Sequence, residues 1–317
     1  MVDWEKTAAV FPGQGSQAVG MGKDFAAAYD TARTTFEQAD EILGFGLSTL
    51  CWEGPQEQLD QTIHTQPALY VTSLAIWRVL RQLLPDSSPA WMAGHSLGEL
   101  TALTAAGGMS YEDGLKLVDA RGRLMQKAGE EKPGAMAALL AMDAAGVSKL
   151  CAAVSEETQK SVVLANDNCP GQVVVSGDIE AVERLIALAP GAGARRAVRL
   201  SVSVAAHSPL MASASAAFQQ ALDKTPLAPP KIAVYGNVQA RPLKTVQEIR
   251  NELGQQLTQT VRWTESMQAI IDEGAETFVE IGGNGVLGGL MRRIHRKKTS
   301  MTLNTVEALD AFLEKQV

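Results

Sequence analysis

The sequence predicts an α/β fold in two parts, and three observations predict it. Short apolar runs alternate with amphipathic helical stretches along both flanks of the chain. The middle reads β-α-β-β-α-β, the order of a ferredoxin-like split unit, which can fold locally between two parts of a larger sheet. No internal repeat or low-complexity tract points to another architecture. The large part is therefore expected at 1–131 and 204–317, split in sequence by a small inserted subdomain at 132–203.

The elements follow in order. Ala8-Ala9-Val10-Phe11 reads as a buried strand stopped by Pro12-Gly13. After a helix-rich stretch, residues 67–84 carry apolar side chains at helical spacing. Trp91-Met92-Ala93-Gly94 is short and apolar, and Ser96 with Glu99-Leu100-Thr101-Ala102-Leu103 completes a strand, sharp turn and helix. Residues 111–129 form an amphipathic helix with Leu115, Val118, Leu124 and Met125 on its apolar side, ended by Pro133-Gly134. In the insert, strands at 135–142, 161–165, 172–176 and 197–204 alternate with helices at 144–157 and 180–188. Beyond it come a helix at 209–224, a Pro-rich break at 226–230, a strand at 232–235, helices at 246–257 and 265–273, and a strand at 277–281.

Composition excludes several function classes. With 317 residues, 46% of them hydrophobic, the chain buries a large core and is not disordered. A net charge of −7 argues against non-specific nucleic-acid binding, which needs a basic surface. Residues 1–6 lack a signal-like apolar core, and no stretch of about 18 apolar residues follows, so a soluble, cytoplasmic protein with no membrane partner is expected. Cys51, Cys151 and Cys169 are scattered and odd in number, which suggests neither disulfides nor a zinc site. His64, His95, His207 and His295 are equally dispersed, and no metal or cofactor is expected. The chain is expected to act as a monomer.

The chemistry concentrates at Gly94-His95-Ser96-Leu97-Gly98. This G-x-S-x-G sequence lies in the strand-turn-helix context of a nucleophile elbow, which exposes a serine at a helix N-terminus. There the Leu97 N–H can donate to an oxyanion. A Gly-rich turn with a serine cap gives the same five residues, and the context is what favours a nucleophile. Serine needs a base; His207, on the loop after the insert's last strand, is the candidate, although a core or capping histidine fits the same position. His95 adjoins the nucleophile on a turn that points neighbours apart.

Several ordered motifs extend this reading: Phe11-Pro12-Gly13-Gln14-Gly15-Ser16-Gln17, Thr65-Gln66-Pro67-Ala68, the elbow extended to Glu99, Arg121-Gly122-Arg123-Leu124-Met125-Gln126, the run from Asn168 to Gly177, His207-Ser208-Pro209-Leu210-Met211, and Val261-Arg262-Trp263. Over nearly its whole length the chain resembles the malonyl-CoA:acyl carrier protein transacylases. The resemblance implies an α/β-hydrolase-like large subdomain with a ferredoxin-like insert, and transfer of malonyl from malonyl-CoA to the phosphopantetheine thiol of holo acyl carrier protein through a seryl ester. It implies Ser96 as nucleophile, His207 as base, the main-chain carbonyl of Gln256 as the group orienting that histidine, and the backbone N–H groups of Gln14 and Leu97 as the oxyanion hole. Arg121 is implied to hold the malonyl carboxylate, for which a planar guanidinium is suited; a surface pair with Asp119 or Glu130 is the plainer alternative. Gln66, Met125 and Asn166 are implied to line the pocket, though a helix N-terminal amide and a core methionine fit the first two equally.

The chain departs from the family pattern at Gly282-Gly283-Asn284-Gly285, at Thr260, and at Cys169, a position where serine is usual and where cysteine offers a reactive thiol. Ala205-Ala206 before the base leave selectivity for the acyl α-substituent open. Basic residues Arg292, Arg293, Arg296, Lys297 and Lys298, or Arg195, Arg196 and Arg199, are candidates to steer an acidic carrier, a solvated face being the plainer account. Competing readings are a free-standing acyltransferase of a polyketide synthase or malonate decarboxylase system, a serine hydrolase or thioesterase with an acidic triad member between Ser96 and His207, and a catalytically idle carrier-binding module.

Overall fold

β1 (Thr7–Phe11) is buried at every position, as the central strand of a sheet covered on both faces must be. Its alternate residues divide cleanly: Ala9 and Phe11 enter one core cluster, Ala8 and Val10 the other. β2 (Trp91–Gly94) and β9 (Thr277–Ile281) pair in parallel on either side of it, with Phe11 opposite Gly94 and Ala8 opposite Phe278. The computed structural model describes residues 2–202 and 204–315. Met1, Gln316, Val317 and Ser203, through which both the expected last strand of the insert and its boundary run, lie outside the described residues.

Among the described residues two sheets organise the chain, and the fold is α/β with two subdomains. The larger sheet has the order β10-β9-β1-β2-β7-β8, completed by β7 (Ala233–Tyr235), β8 (Pro242–Leu243) and β10 (Thr299–Leu303); only β8 runs antiparallel to its neighbour. The smaller sheet is antiparallel, with order β4-β5-β3-β6, formed by β3 (Gly134–Leu140), β4 (Val162–Cys169), β5 (Gln172–Asp178) and β6 (Arg196–Arg199). That order is the one a βαββαβ unit adopts. One face of it packs Ala135, Ala137, Leu139, Val173 and Val175 with residues of helices Ala144–Thr158 and Ile179–Leu188 into a separate core. The small sheet docks on the large subdomain through backbone pairing: Val261 N–H donates to Ala165 O at 2.8 Å, and Asp167 N–H to Val261 O at 2.9 Å.

Several elements differ from expectation. Helix Thr62–Leu83 contains Pro67 rather than starting there, so Gln66 stands inside the helix. β4 runs on to Cys169 because irregularities between Leu164 and Asn166 and between Asp167 and Cys169 absorb the loss of register. β6 stops at Arg199, not 204; the next residues line a cavity instead. The helix expected from 209 opens as a 3₁₀ turn, Pro209–Met211, before the α-helix Ala212–Lys224. β8, β10 and the helices Val286–Ile294 and Val306–Glu314 were not anticipated.

Candidate active site

The turn after β2 is built by exclusion of side chains. A Cβ on Gly94 would lie 1.8 Å from the Gly98 carbonyl carbon, and one on Gly98 would lie 2.1 Å from Phe11 O, so both positions need glycine. Ser96 between them sits at φ 52°, ψ −108°, strained for an L-residue. Asn237 brackets the turn: its Oδ1 accepts the Ser96 N–H at 2.7 Å, and its Nδ2 donates to Gly94 O at 2.7 Å. Helix Leu97–Ala105 follows at once, leaving the Leu97 N–H among the unpaired amides of a first helical turn.

His207 reaches this serine from the far side of the insert. Its Nε2 lies 2.8 Å from Ser96 Oγ, and its Nδ1 lies 2.7 Å from the main-chain oxygen of Gln256. A carbonyl only accepts, so Nδ1 carries the proton and the Nε2 lone pair faces the serine hydroxyl. Burial, and then the nearby Arg121 charge, push the His207 pKa down to about 3, so the imidazole rests neutral. His95 is turned away. Its Nε2 meets Asn168 Oδ1 at 2.8 Å, and its ring packs edge-on against Trp263.

Arg121, on helix Tyr111–Glu131, is 1% exposed and points into the same site. Nη1 donates to Gln66 Oε1 at 2.7 Å, while Nη2 donates to Gln256 Oε1 at 2.8 Å and to Ser96 Oγ at 3.1 Å. Its Nε–H is buried and has no acceptor among the described residues. Burial lowers its pKa to about 10, against an opposing pull from Glu99, and the guanidinium stays charged at neutral pH. The surface alternative is overturned: Asp119 pairs with Arg123, and Glu130 accepts from Gln126.

A cavity of about 290 Å³ opens on these groups. Gln14, Gln66, Ser96, Leu97, Arg121, Met125, Asn166 and His207 all line it; Gln256 stands behind Arg121 and His207. Gln66 is no helix-terminal amide, since it accepts from Arg121 and donates to Met125 Sδ at 3.3 Å. The opposite wall comes from the free face of the small sheet, with Met136 and Ala138 of β3 and Val174 of β5. Three polar residues went unread in the sequence: Asn237, Glu99 and Glu252, all fully buried. Only Glu99 left a signal, by its place in the extended elbow motif.

Residues 9–306 match the acyl transferase domain family. The Haemophilus influenzae malonyl CoA-acyl carrier protein transacylase is 42% identical over 310 residues, covering 98% of this chain and 99% of that protein. The chain belongs to this transacylase family. The Bacillus subtilis member is 40% identical over 98% of this chain and 96% of its own length. Among solved structures, an acyl carrier protein S-malonyltransferase from Vibrio cholerae has TM-score 0.93 at 42% identity, covering 97% of this chain and 100% of that one. A malonyl-transacylase solved with its type II polyketide-synthase acyl-carrier protein has TM-score 0.94 at 40% identity, covering 98% and 100%.

The departures from the family pattern are structurally quiet. Thr260 Oγ1 donates to Leu164 O at 2.7 Å, adding to the joint between subdomains, and Gly282, Gly283 and Gly285 all take positive φ. Cys169 is no reactive thiol: it is buried in a core cluster, and burial pushes its pKa up. Of the basic residues, Arg293 is tied to Gln172 Oε1 and to the turn carbonyls of Pro170 and Gly171, Lys298 pairs with Glu276, and Arg199 with Glu183. Among the described residues no helix is long and apolar enough to cross a membrane.

Proposed function

We propose that this chain transfers a malonyl group from malonyl-CoA to the phosphopantetheine thiol of an acyl carrier protein, through an ester on Ser96, in fatty acid synthesis. The observation that carries the reading is one line of contacts, Gln256 O to His207 to Ser96 Oγ, with a buried arginine 3.1 Å from the same oxygen. Ser96 Oγ attacks the thioester carbonyl as its proton passes to His207 Nε2. The oxyanion takes hydrogen bonds from the Leu97 and Gln14 N–H groups. Collapse breaks the C–S bond, and the CoA thiolate leaves with the proton from His207. The carrier thiol then gives its proton to His207 and attacks the ester, and Ser96 departs with that proton. Arg121 holds the malonyl carboxylate throughout; an acetyl group leaves that buried charge unpaired. Gln66, Met125 and Asn166 shape the acyl pocket.

The working unit is a monomer without a cofactor, the coenzyme A thioester being a substrate. The part carrying Ser96 and Arg121 is taken as 1–131 with 204–317, and 132–203 as the part that walls the cavity. Three buried free thiols suit the reducing cytoplasm. A polyketide-synthase carrier is the second reading, favoured by the relative solved with such a partner.

Intact mass after brief exposure to malonyl-CoA tests the proposal. Wild type gains a malonyl adduct that passes to added holo carrier protein, and Ser96→Ala gains none. Loss of the adduct to water with carrier present would favour a hydrolase, and no adduct would favour a binding module. Relative rates with fatty-acid and polyketide carriers separate the two pathways.

A further inference from the structure

The reaction as written leaves one buried acid beside the nucleophile unused. Glu99 sits in the first turn of helix Leu97–Ala105, fully buried. Its Oε2 accepts from Gln256 Nε2 at 2.6 Å, while Oε1 has no partner among the described residues. A second buried acid, Glu252, lies one turn before Gln256 on helix Val246–Gln256 and accepts from the Val238 N–H. Two buried carboxyls close enough for one to raise the other's pKa are costly, and apolar residues of similar volume generally fill such space at less cost.

Gln256 explains the arrangement. Its main-chain oxygen holds His207, its Nε2 donates both to Glu99 and to Ser96 O at 2.9 Å, and its Oε1 accepts from Arg121 at 2.8 Å. The two ends of a primary amide are nearly equal in shape, so hydrogen-bond partners decide which faces which way. Two acceptors on one side pull Nε2 toward them and turn Oε1 to Arg121. The reversed amide would set an N–H against the Arg121 N–H.

We propose that Glu99 is a positioning residue for acyl selectivity: it fixes the Gln256 amide, and the amide aims the Arg121 guanidinium at the malonyl carboxylate. The proposal rests on the reading of Arg121 given above. Glu99 touches no reacting atom. Burial, and then the neighbouring Glu252 carboxyl, raise the Glu99 pKa well above the usual carboxylate range, while the Gln256 hydrogen bond and the Arg121 charge oppose the rise; a carboxyl oxygen accepts from the Gln256 amide in either form.

The test is the ratio of kcat/KM for malonyl-CoA to that for acetyl-CoA, in wild type, Glu99→Leu, Glu99→Gln and Gln256→Met, with thermal melting of each. Glu99→Leu lowers the ratio about tenfold or more through the malonyl term, with the acetyl term within about threefold of wild type. Glu99→Gln, whose amide oxygen can accept the same hydrogen bond, restores the ratio to within about threefold. Gln256→Met keeps the carbonyl to His207, loses the amide, and reproduces the defect; adding Glu99→Leu to it changes the ratio no further.

A folded Glu99→Leu protein with an unchanged ratio overturns the proposal. So does an equal fall for both acyl groups, which is what structural damage alone produces, and so does a Glu99→Gln defect as deep as that of Glu99→Leu. If Glu99→Leu does not fold, an unchanged ratio in Gln256→Met overturns it. Failure of wild type to form a malonyl adduct on Ser96 refutes the transferase reading instead.

Discussion

Because His207 is buried beside a cation, the acid limb of catalysis is expected far below the ordinary histidine range. As the proposed base, His207 works when neutral, and its pKa is pushed from 6.5 to about 3. At pH 5 a histidine with the ordinary value would be roughly 3% neutral, a loss of about thirtyfold, whereas one near 3 stays about 99% neutral. The measurement is kcat/KM, which reports the free enzyme, across pH 4.5–8 at constant ionic strength. A malonyl thioester of a short pantetheine mimic is the substrate, so that no CoA phosphate titrates in the window. Arg121 is the second cause of the depression, so Arg121→Met moves the limb upward. A wild-type kcat/KM at pH 5 below about a tenth of its value at pH 7, with activity recovered on return to pH 7, would refute the reasoning. The same shift has a stability consequence. Below pH 6.5 the unfolded chain takes up the proton that the folded site refuses, so stability falls as pH drops from 6.5 toward 3, and His207→Gln flattens that part of the melting profile.

Two further outcomes follow from the same contacts. Arg121→Ala leaves a bound malonyl carboxylate buried without a partner, a cost of about 3–5 kcal/mol, so kcat/KM for malonyl-CoA falls roughly 10²–10⁴-fold while acetyl-CoA changes by less than about tenfold; steady-state kinetics with both thioesters check it. Asn237→Ala strands the Ser96 N–H and Gly94 O, which costs about 1–3 kcal/mol for each group and loosens the elbow; calorimetry reads a lower Tm, and kcat falls more than KM rises.

How much of this was legible depended on whether the cause was local. The elbow was readable because two glycines and a serine within five residues serve one steric need, the close approach of Gly94, Gly98 and Phe11 O. The ferredoxin-like order was readable because strand and helix periodicities alternate within a short stretch. Asn237 was not, since a single amide after a short strand carries no pattern, and its partners Gly94 and Ser96 lie far back in sequence. The start of helix Thr62–Leu83 is hidden in the sequence because proline usually opens a helix; here Pro67 lies within it, and Thr65 Oγ1 in the first turn donates back to Leu59 O, ahead of the helix. The end of β6 is hidden in the sequence because Leu200, Val202 and Val204 are apolar at strand spacing, yet line the cavity. The Gln256 carbonyl came from family resemblance, as any residue offers a carbonyl.

The alternation along β3 has a consequence for how this enzyme can diverge. Ala135, Ala137 and Leu139 belong to the interior of the small subdomain, while Met136 and Ala138, between them, face the acyl cavity. Successive residues of one strand thus serve different sides, one set the interior of the small subdomain and the other the cavity wall, where Met136 also packs into the main core. Replacing Met136 by a smaller side chain, or Ala138 by a larger one, remodels the chamber from a wall that carries none of the reacting atoms. The size of the chamber can therefore be changed from this wall without altering Ser96, His207 or Arg121.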